Sequence, residues 1–577
     1  MRTTKKAIRR IAILGGGPSG LFMYKRLVET GNTDFEVSIF EATDRLGEGF
    51  PYSPSGANNE HVTNVSGNEI PEMEISVSDW IKTVPVQLLE TFDIDPNKFN
   101  DYKVLPRLLF GKYLAAQFEL LQVKAKHTGI STTIHFNSKV TDIIDHKDTN
   151  TISVEINQMD YFDFDTVVLC TGHIWPRSNE IEVPGFFDSP YPPGKLTGQW
   201  NHPVAIRGAS LTAVDAIRTL ARQHGVFSKT AEGEKTYRLN DNADEFKIVM
   251  HSRNGMLPAI RFHLEDPHLS KSKLLSEEEI AEHIKHNDGF LSLDFIFDRD
   301  FKETFRHKDP LFFEKIKNMN VEEFVSEMMS LRESVGAFEL FKGEYAEAAK
   351  SIRRKESVYW KEMLAILSFA LNYPAKHLSA EDMGRLQKVL MPLISIVIAF
   401  VPQNSCEELI ALHDAGILTL VGVGADSKVV PQAEGGIIYH HEDDNGDVRE
   451  TRYSTYVDCV GQPHLSLSNF PFQSLVTSGT VSPARLKFRS AEAARAQISQ
   501  GNTDIEQAAP DNYYLPVPGI AINDYFQPVD KYGAFNDRLY IMAVPYIGGF
   551  NPDYSGLDFC DAASEIIVRK LITQLVV

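Results

Sequence analysis

Glycines crowd one short stretch near the start of the chain, "RRIAILGGGPSGLFMYKRL", Arg9 to Leu27. An apolar run, Ile11 to Leu14, stops at Gly15, Gly16, Gly17, Pro18, Ser19 and Gly20. Leu21, Tyr24, Leu27 and Val28 then follow at helical spacing, so the reading is strand, tight turn, helix. A second run, "FEVSIFE", follows the turn at Gly31 and ends in Glu41, about 20 residues beyond the last glycine. The pattern is that of a dinucleotide turn, and its parts interlock. Gly15 permits the tight turn, Gly17 lets backbone N–H groups approach a diphosphate, and Gly20 lets helix and strand pack closely. The helix start at Pro18 and Ser19 supplies partial positive charge. Glu41 accepts hydrogen bonds from a ribose and repels a 2′-phosphate, which leaves FAD or NAD rather than NADP at this site.

The bulk numbers bound the rest. The chain has 577 residues, 43% of them hydrophobic and 24% charged. On a prior of roughly 150 residues per domain it is a globular protein of three or four domains. A formal net charge of -20 excludes general affinity for nucleic acid or anionic lipid, because such binding runs on phosphate neutralisation by Lys and Arg. The cysteines, Cys170, Cys406, Cys459 and Cys560, form no CxxC pair, so neither a zinc knuckle nor a disulfide redox centre is expected. No metal site is expected either, since "HHEDDNGD" lacks the HExxH spacing. The basic start, "MRTTKKAIRR", runs straight into the glycine turn and leaves no room for a signal-peptide apolar region. The greasy segment "VLMPLISIVIAFVP", Val389 to Pro402, is shorter than the roughly 18–20 residues that cross a bilayer, and reads as buried helix or strand. A cytoplasmic location away from membranes is expected.

Downstream of Glu41 lies "DRLGEGFPYSPSGANNEHVTNVSGNEIP", Asp44 to Pro71, in which Arg45, Gly47 and Gly49 make a second glycine-bearing turn. On the residues alone, His61 also reads as a loop histidine in a local hydrogen bond, and Arg107 as a surface arginine on a helix. Gly47-x-Gly49-x-x-Tyr52 followed by His61-x-x-Asn64-Val65 resembles the "GxGxAY…HLLNVPA" pattern of a bacterial FAD/NAD(P)-binding flavoprotein family. That family is related to the two-dinucleotide flavin monooxygenases, N-hydroxylases among them. "LPRLLFGKYL", Leu105 to Leu114, and "VVLCTGHIWP", Val167 to Pro176, resemble further segments of the same family in the same order. The resemblance covers the first third of the chain and implies FAD at the first turn. It implies that Arg45, Gly49, His61, Asn64, Val65, Arg107, Thr171 and Gly172 help to bind it.

A second turn follows the proline-rich linker "VPGFFDSPYPPGKL". Strand Val204 to Ile206 leads into "RGASLTAVDAIRTLARQ", where Gly208, Ser210 and Ala213 form a loosened GxSxxA that opens a helix from Ala213 to Arg222. Ser210, Leu211 and Thr212 present the turn to a ligand. The next strand, "FKIVMHSRNGMLP", ends in Ser252 and Arg253 instead of an acid, and Arg207 sits inside the turn. A guanidinium suits a 2′-phosphate, so NADPH is expected here; the bland reading of Arg253 is an exposed charge at a strand end. Cys459-Val460-Gly461 resembles the Thr171-Gly172 turn and marks a return to the first domain. Near the end, a strand, a glycine-bearing loop and a helix close the FAD site in flavoproteins of this class. Gly549, Asn551 and Leu557 are the candidates.

The expected fold is α/β, with two Rossmann-like dinucleotide-binding domains for FAD and NADPH and an inserted helical subdomain. Residues 1–180 and 463–577 make up the FAD-binding domain, 199–263 and 396–462 the NADPH-binding domain, and 264–395 the helical insertion. Two nucleotide sites imply electron flow from NADPH to FAD. With no CxxC near the flavin, oxygen is the expected acceptor, and the resemblance implies hydroxylation of a small polar, amine-bearing substrate through a flavin hydroperoxide. Such chemistry needs no strong side-chain base, and no catalytic residue is assigned. The alternatives are a reductase serving a quinone, dye or protein, and a non-catalytic nucleotide-binding protein on a flavoprotein scaffold. Oligomeric state is left open.

Overall fold

In parallel sheets both faces are covered, so their strands are continuously apolar, and Ile11 to Leu14 are all buried for that reason. The computed structural model describes residues 8–173, 175–266, 274–443, 445–462, 465–552 and 556–576. Its parallel strands are, in chain order, β1 Arg9–Leu14, β2 Phe35–Phe40, β3 Ser131–His135, β4 Thr166–Leu169, β5 Phe186–Phe187, β6 Pro203–Arg207, β7 Lys247–Ser252, β8 Leu418–Gly422, β9 Thr455–Asp458 and β10 Leu539–Ile541. They divide into two sheets of the same build. The first runs β10-β4-β1-β2-β3 and the second β5-β9-β6-β7-β8, every neighbouring pair parallel.

Each sheet has a helix directly after its central strand. In the first it is α1 Pro18–Glu29, with Pro at the start, where the missing N–H costs nothing. The helix α2 Arg107–Thr128 packs beside α1 and ends on Gly129 in the left-handed region. In the second sheet the helix is α3 Leu211–His224, one turn longer than the expected Ala213 to Arg222. The polar stretch expected as a loop, Gly225 to Glu245, folds in part into an antiparallel hairpin, Gly225–Lys229 with Lys235–Leu239. The last helix, α4 Leu557–Val576, returns to lie against α1.

Between the halves of the second unit stands a helical region running from Glu277–His286 to Met391–Val397. Its apolar residues, Phe297, Phe324, Leu364 and Ile394 among them, share one core with the first sheet. Phe338 and Phe341 instead join the core of the second. The greasy segment is resolved as buried helix, Met391–Val397, and no helix among the described residues is long and apolar enough to cross a membrane.

Candidate cofactor sites

Strand register brings Leu14, Phe40 and Leu169 level, so the first site lies at the carboxyl ends of β1, β2 and β4. Gly15 holds φ +110°, and a methyl group on it would stand 2.7 Å from the Cys170 carbonyl oxygen. A Cβ on Gly20 would stand 2.1 Å from the Gly15 carbonyl, so helix and strand meet there as expected. Gly17 faces the backbone of Gly49, where its Cβ would come within 3.2 Å of the Gly49 Cα, and the Gly47 amide donates to the Gly16 carbonyl at 2.7 Å. The Arg45–Gly49 turn therefore rests on the first glycine turn. Arg45 is exposed and loosely paired with Glu48, 3.5 Å away.

Glu41 follows β2 at the edge of this turn. Its Oε2 accepts from the Gly16 amide at 2.8 Å, and its Oε1 accepts from the Thr43 amide at 2.8 Å and hydroxyl at 2.9 Å. A carboxylate has about four acceptor positions, so capacity remains for a ribose hydroxyl. Gly17 brings no side-chain cap to α1 and Pro18 no N–H. The amides of Ser19 and Gly20 are thus left for an outside acceptor at the positive end of the helix. Helix α4 closes this side. The Ser19 hydroxyl lies 3.3 Å from the Cys560 sulfur, one turn into α4 beyond Leu557.

The residues fit a flavin dinucleotide on a further count. The buried hydroxyls of Thr171 and Tyr546 make no hydrogen bond of good geometry, although they lie close enough for Thr171 to pull the Tyr546 phenol down against the larger upward push of burial. Gly172 beside them has open space where a side chain would stand. Asn551 is buried, its amide donating to the Ile547 carbonyl at 2.9 Å. Gly549 is committed to packing: its amide donates to the Pro518 carbonyl at 2.8 Å, and a Cβ would strike the same oxygen at 2.4 Å.

The second site repeats the first almost atom for atom. Gly208 holds φ +111°, its Cβ would stand 2.6 Å from the Cys459 carbonyl, and its amide donates to the end of the neighbouring strand at His251, 2.8 Å. Gly15 makes the matching bond to Phe40, also 2.8 Å. Ser210 stands where the first turn has Gly17; it caps α3 without a side-chain bond, so the amides of Leu211 and Thr212 are presented outward. Arg253 follows β7 and is exposed, with no ion pair among the described residues. Arg207, half-buried, lies 3.5 Å from Asp458 on β9.

His61 and Arg107 stand between the two units. The Arg107 guanidinium donates from Nη1 to Asp215 Oδ2 at 2.6 Å and from Nε to the Val62 carbonyl at 3.0 Å. Tyr191 donates to the same carboxylate oxygen at 3.0 Å. Burial pushes the Asp215 carboxyl up, but the Arg107 guanidinium, with Arg218 and the Tyr191 hydrogen bond, outweighs it and holds the group below the usual carboxylate range. Burial holds the His61 imidazole below its usual range, so it is neutral. Its Nδ1 accepts from the Asn58 amide at 3.1 Å, which assigns the proton to Nε2, facing Thr219 Oγ1 at 3.0 Å and the Asp215 carbonyl at 3.2 Å. The Asn64 carbonyl accepts from Arg261, while the Asn64 side chain is exposed and Val65 half-buried.

Sequence reasoning passed over Asp215, Tyr191 and Arg261. The signal for Asp215 was present: with Arg218 and Arg222 it makes a charged stripe at three- and four-residue spacing on a largely buried helix. It also passed over an aromatic cluster beside the linker, where Phe50, Trp175 and Tyr191 lie with ring centres 5.2–5.8 Å apart.

Residues 12–174 match the family described as FAD-NAD(P)-binding. The first third of the chain is similar to that family throughout its nucleotide fold. The match makes FAD and NAD(P) the cofactor class. Residues 276–398, the helical region, match the family described as YdhS-like middle domain. The protein YdhS of Escherichia coli is 26% identical over 570 residues, 98% of each chain. Among solved structures, an ornithine N-hydroxylase from Kutzneria sp. 744 matches at TM-score 0.45 and 11% identity, over 98% of this chain and 99% of that one. A cadaverine monooxygenase from Erwinia amylovora matches at TM-score 0.46 and 11% identity, over 98% and 95%. The bacillithiol disulfide reductase of Staphylococcus aureus matches at TM-score 0.41 and 9% identity, over 98% and 99%.

Proposed function

We propose that the chain is an NADPH-dependent FAD monooxygenase that hydroxylates a small polar substrate, amine-bearing molecules foremost, in the cytoplasm. The observation that carries this reading is the contrast between the two matched turns, where the first has the carboxylate of Glu41 and the second the unpaired, exposed Arg253. A carboxylate suits a bare ribose and a guanidinium suits a 2′-phosphate, which distributes FAD and NADPH between the sites. Bound FAD supplies two-electron transfer and reaction with oxygen. The residues of the chain supply the rest. Ser19 and Gly20 hold the diphosphate by their amides, Glu41 holds the ribose, and Leu211 and Thr212 do for the second nucleotide what Ser19 and Gly20 do for the first.

Oxygen is favoured as acceptor because all four cysteines are free and buried, and burial holds the thiols of Cys170 and Cys459 well above their ordinary range. A thiol so held is a poor nucleophile for disulfide chemistry. The test is the visible absorbance of the pure protein, followed by NADPH consumption and hydroxylated product across a panel of amines, amino acids and purines. A yellow protein whose NADPH use matches product formation supports the proposal. A colourless one, or turnover with a quinone or dye that proceeds without oxygen, overturns it.

A further inference from the structure

The segment from Glu60 to Glu69, a short strand Val62–Ser66 and the turn after it, belongs to the first unit in sequence, yet it meets the second unit on two sides. On one side Arg107, whose Nε holds the Val62 carbonyl, pairs at 2.6 Å with Asp215, one turn inside α3. The same stretch of α3 receives His61 through Thr219, whose hydroxyl donates to Glu60 at 2.7 Å. On the other side Arg261, just beyond the point where Ile260 bridges Val401, donates to the Asn64 carbonyl, donates to Ser66 Oγ at 2.9 Å and pairs with Glu69. The side chains of Arg107, Asp215, Arg261 and Glu69 are 15%, 7%, 9% and 8% exposed, so both pairs are desolvated.

Buried ion pairs return little net adhesion, because desolvation offsets their attraction, but they tolerate only one geometry; removing one partner leaves an uncompensated charge. Two such contacts, one through Arg107 beside this segment and one onto Glu69 within it, fix an orientation, where one alone would permit rotation about itself. Asp215 lies a single turn from Leu211 and Thr212, so a constraint on Asp215 is a constraint on the second nucleotide turn.

We propose that the pairs Arg107–Asp215 and Arg261–Glu69 are positioning contacts that pin the second dinucleotide turn to the flavin-side segment at a fixed separation, so that electrons pass between the sites without the two units rotating apart. This rests on the two-cofactor reading above. The experiment mixes the FAD-loaded protein with NADPH without oxygen and follows loss of flavin absorbance, beside FAD content and NADP⁺ affinity by calorimetry. Asp215→Asn is expected to keep its FAD and an NADP⁺ affinity within about threefold, while flavin bleaching at saturating NADPH falls by about tenfold or more, as a misplacement of about 1 Å can cause. Tyr191→Phe, which removes only a hydrogen bond to the same carboxylate, is expected to fold and to show a smaller loss in the same direction. Unchanged bleaching in both variants overturns the pin, as does a loss that more NADPH fully restores. Should the parent protein fail to take FAD or to bleach with NADPH, the two-cofactor reading fails and the pin is read in the apo chain instead. There, proteolysis at Lys195 in the linker is expected to run about tenfold faster in Asp215→Asn, since removing one partner of a buried pair leaves an uncompensated charge. Equal cleavage overturns it.

Discussion

Gly15 and Gly208 hold one conformation in two separate sheets, φ +110° and +111°, each pressed against the carbonyl of a cysteine that ends a neighbouring strand, Cys170 and Cys459. Both positions exclude a side chain for two reasons at once: the left-handed backbone is strained for any residue with a Cβ, and the carbonyl occupies the space a Cβ needs. What differs between them is the residue just beyond the next strand, Glu41 in the first sheet and Arg253 in the second.

The two glycines therefore separate the two cofactors by mutation. Gly15→Ala is expected to yield protein without visible flavin absorbance, while Gly208→Ala keeps its FAD and loses at least about tenfold in NADP⁺ affinity, a cost of about 1.4 kcal/mol or more. Flavin content by absorbance and nicotinamide affinity by calorimetry check both. Full FAD occupancy in Gly15→Ala would refute the assignment of the first turn.

Arg253 gives a sharper test of nucleotide choice. Arg253→Ala removes an exposed guanidinium with no ion pair among the described residues, so the fold is expected to be unaffected. A charge-assisted, bidentate contact to a 2′-phosphate is worth about 1.5–3 kcal/mol. NADPH affinity is thus expected to fall about tenfold or more while NADH affinity is unchanged. Equal loss for both nucleotides would sink the assignment.

Two buried carboxylates make stability depend on pH in opposite senses. Glu408 receives Arg218 at 2.8 Å and Arg222 at 2.8 Å, and although burial pushes it up, the two guanidinium groups bring it down to about 2. Its folded pKa is depressed, so its contribution is present above the ordinary 4.5 and is lost as pH falls through about 2. Asp300 is raised by burial to about 7, its Oδ1 accepting the Leu275 amide at 3.0 Å. Here ionisation is disfavoured in the folded chain, so stability is lost as pH rises from the ordinary 3.8 through about 7. Asp300→Asn keeps the acceptor and removes the charge, and is expected to raise Tm at pH 8 and by a smaller amount at pH 5, where only the first part of the loss has accrued. Glu408→Gln is expected to lower Tm at pH 7, by a few kcal/mol in stability, with the deficit shrinking toward pH 2. Thermal melts across pH decide both; a Tm gain for Asp300→Asn that is the same at pH 5 and pH 8 would contradict the burial argument.

The two sheets were legible in the sequence because their signals are local. A glycine turn between an apolar run and an amphipathic helix writes its geometry within about 30 residues, and Gly15, Gly20 and Gly208 stand as that pattern requires. The helical insertion was legible from its period alone. Arg107 and His61 were not legible in the same way: a family motif fixes which residues recur, while the partner Asp215 lies 108 residues beyond Arg107 on another unit. The second turn was legible too, as a loosened GxSxxA, although Ser210 and Ala213 replace two of the glycines.

The order of strands in the first sheet bears on how the protein is made. Its edge strand is β10, and its first glycine turn is flanked by Cys560 of α4, both far along the chain from β1. Translation must therefore pass through the second sheet and the helical region before that sheet closes, and until β10 emerges the apolar edge of β4 stays uncovered. The wall of the opening turn is thereby completed only once α4 has been made.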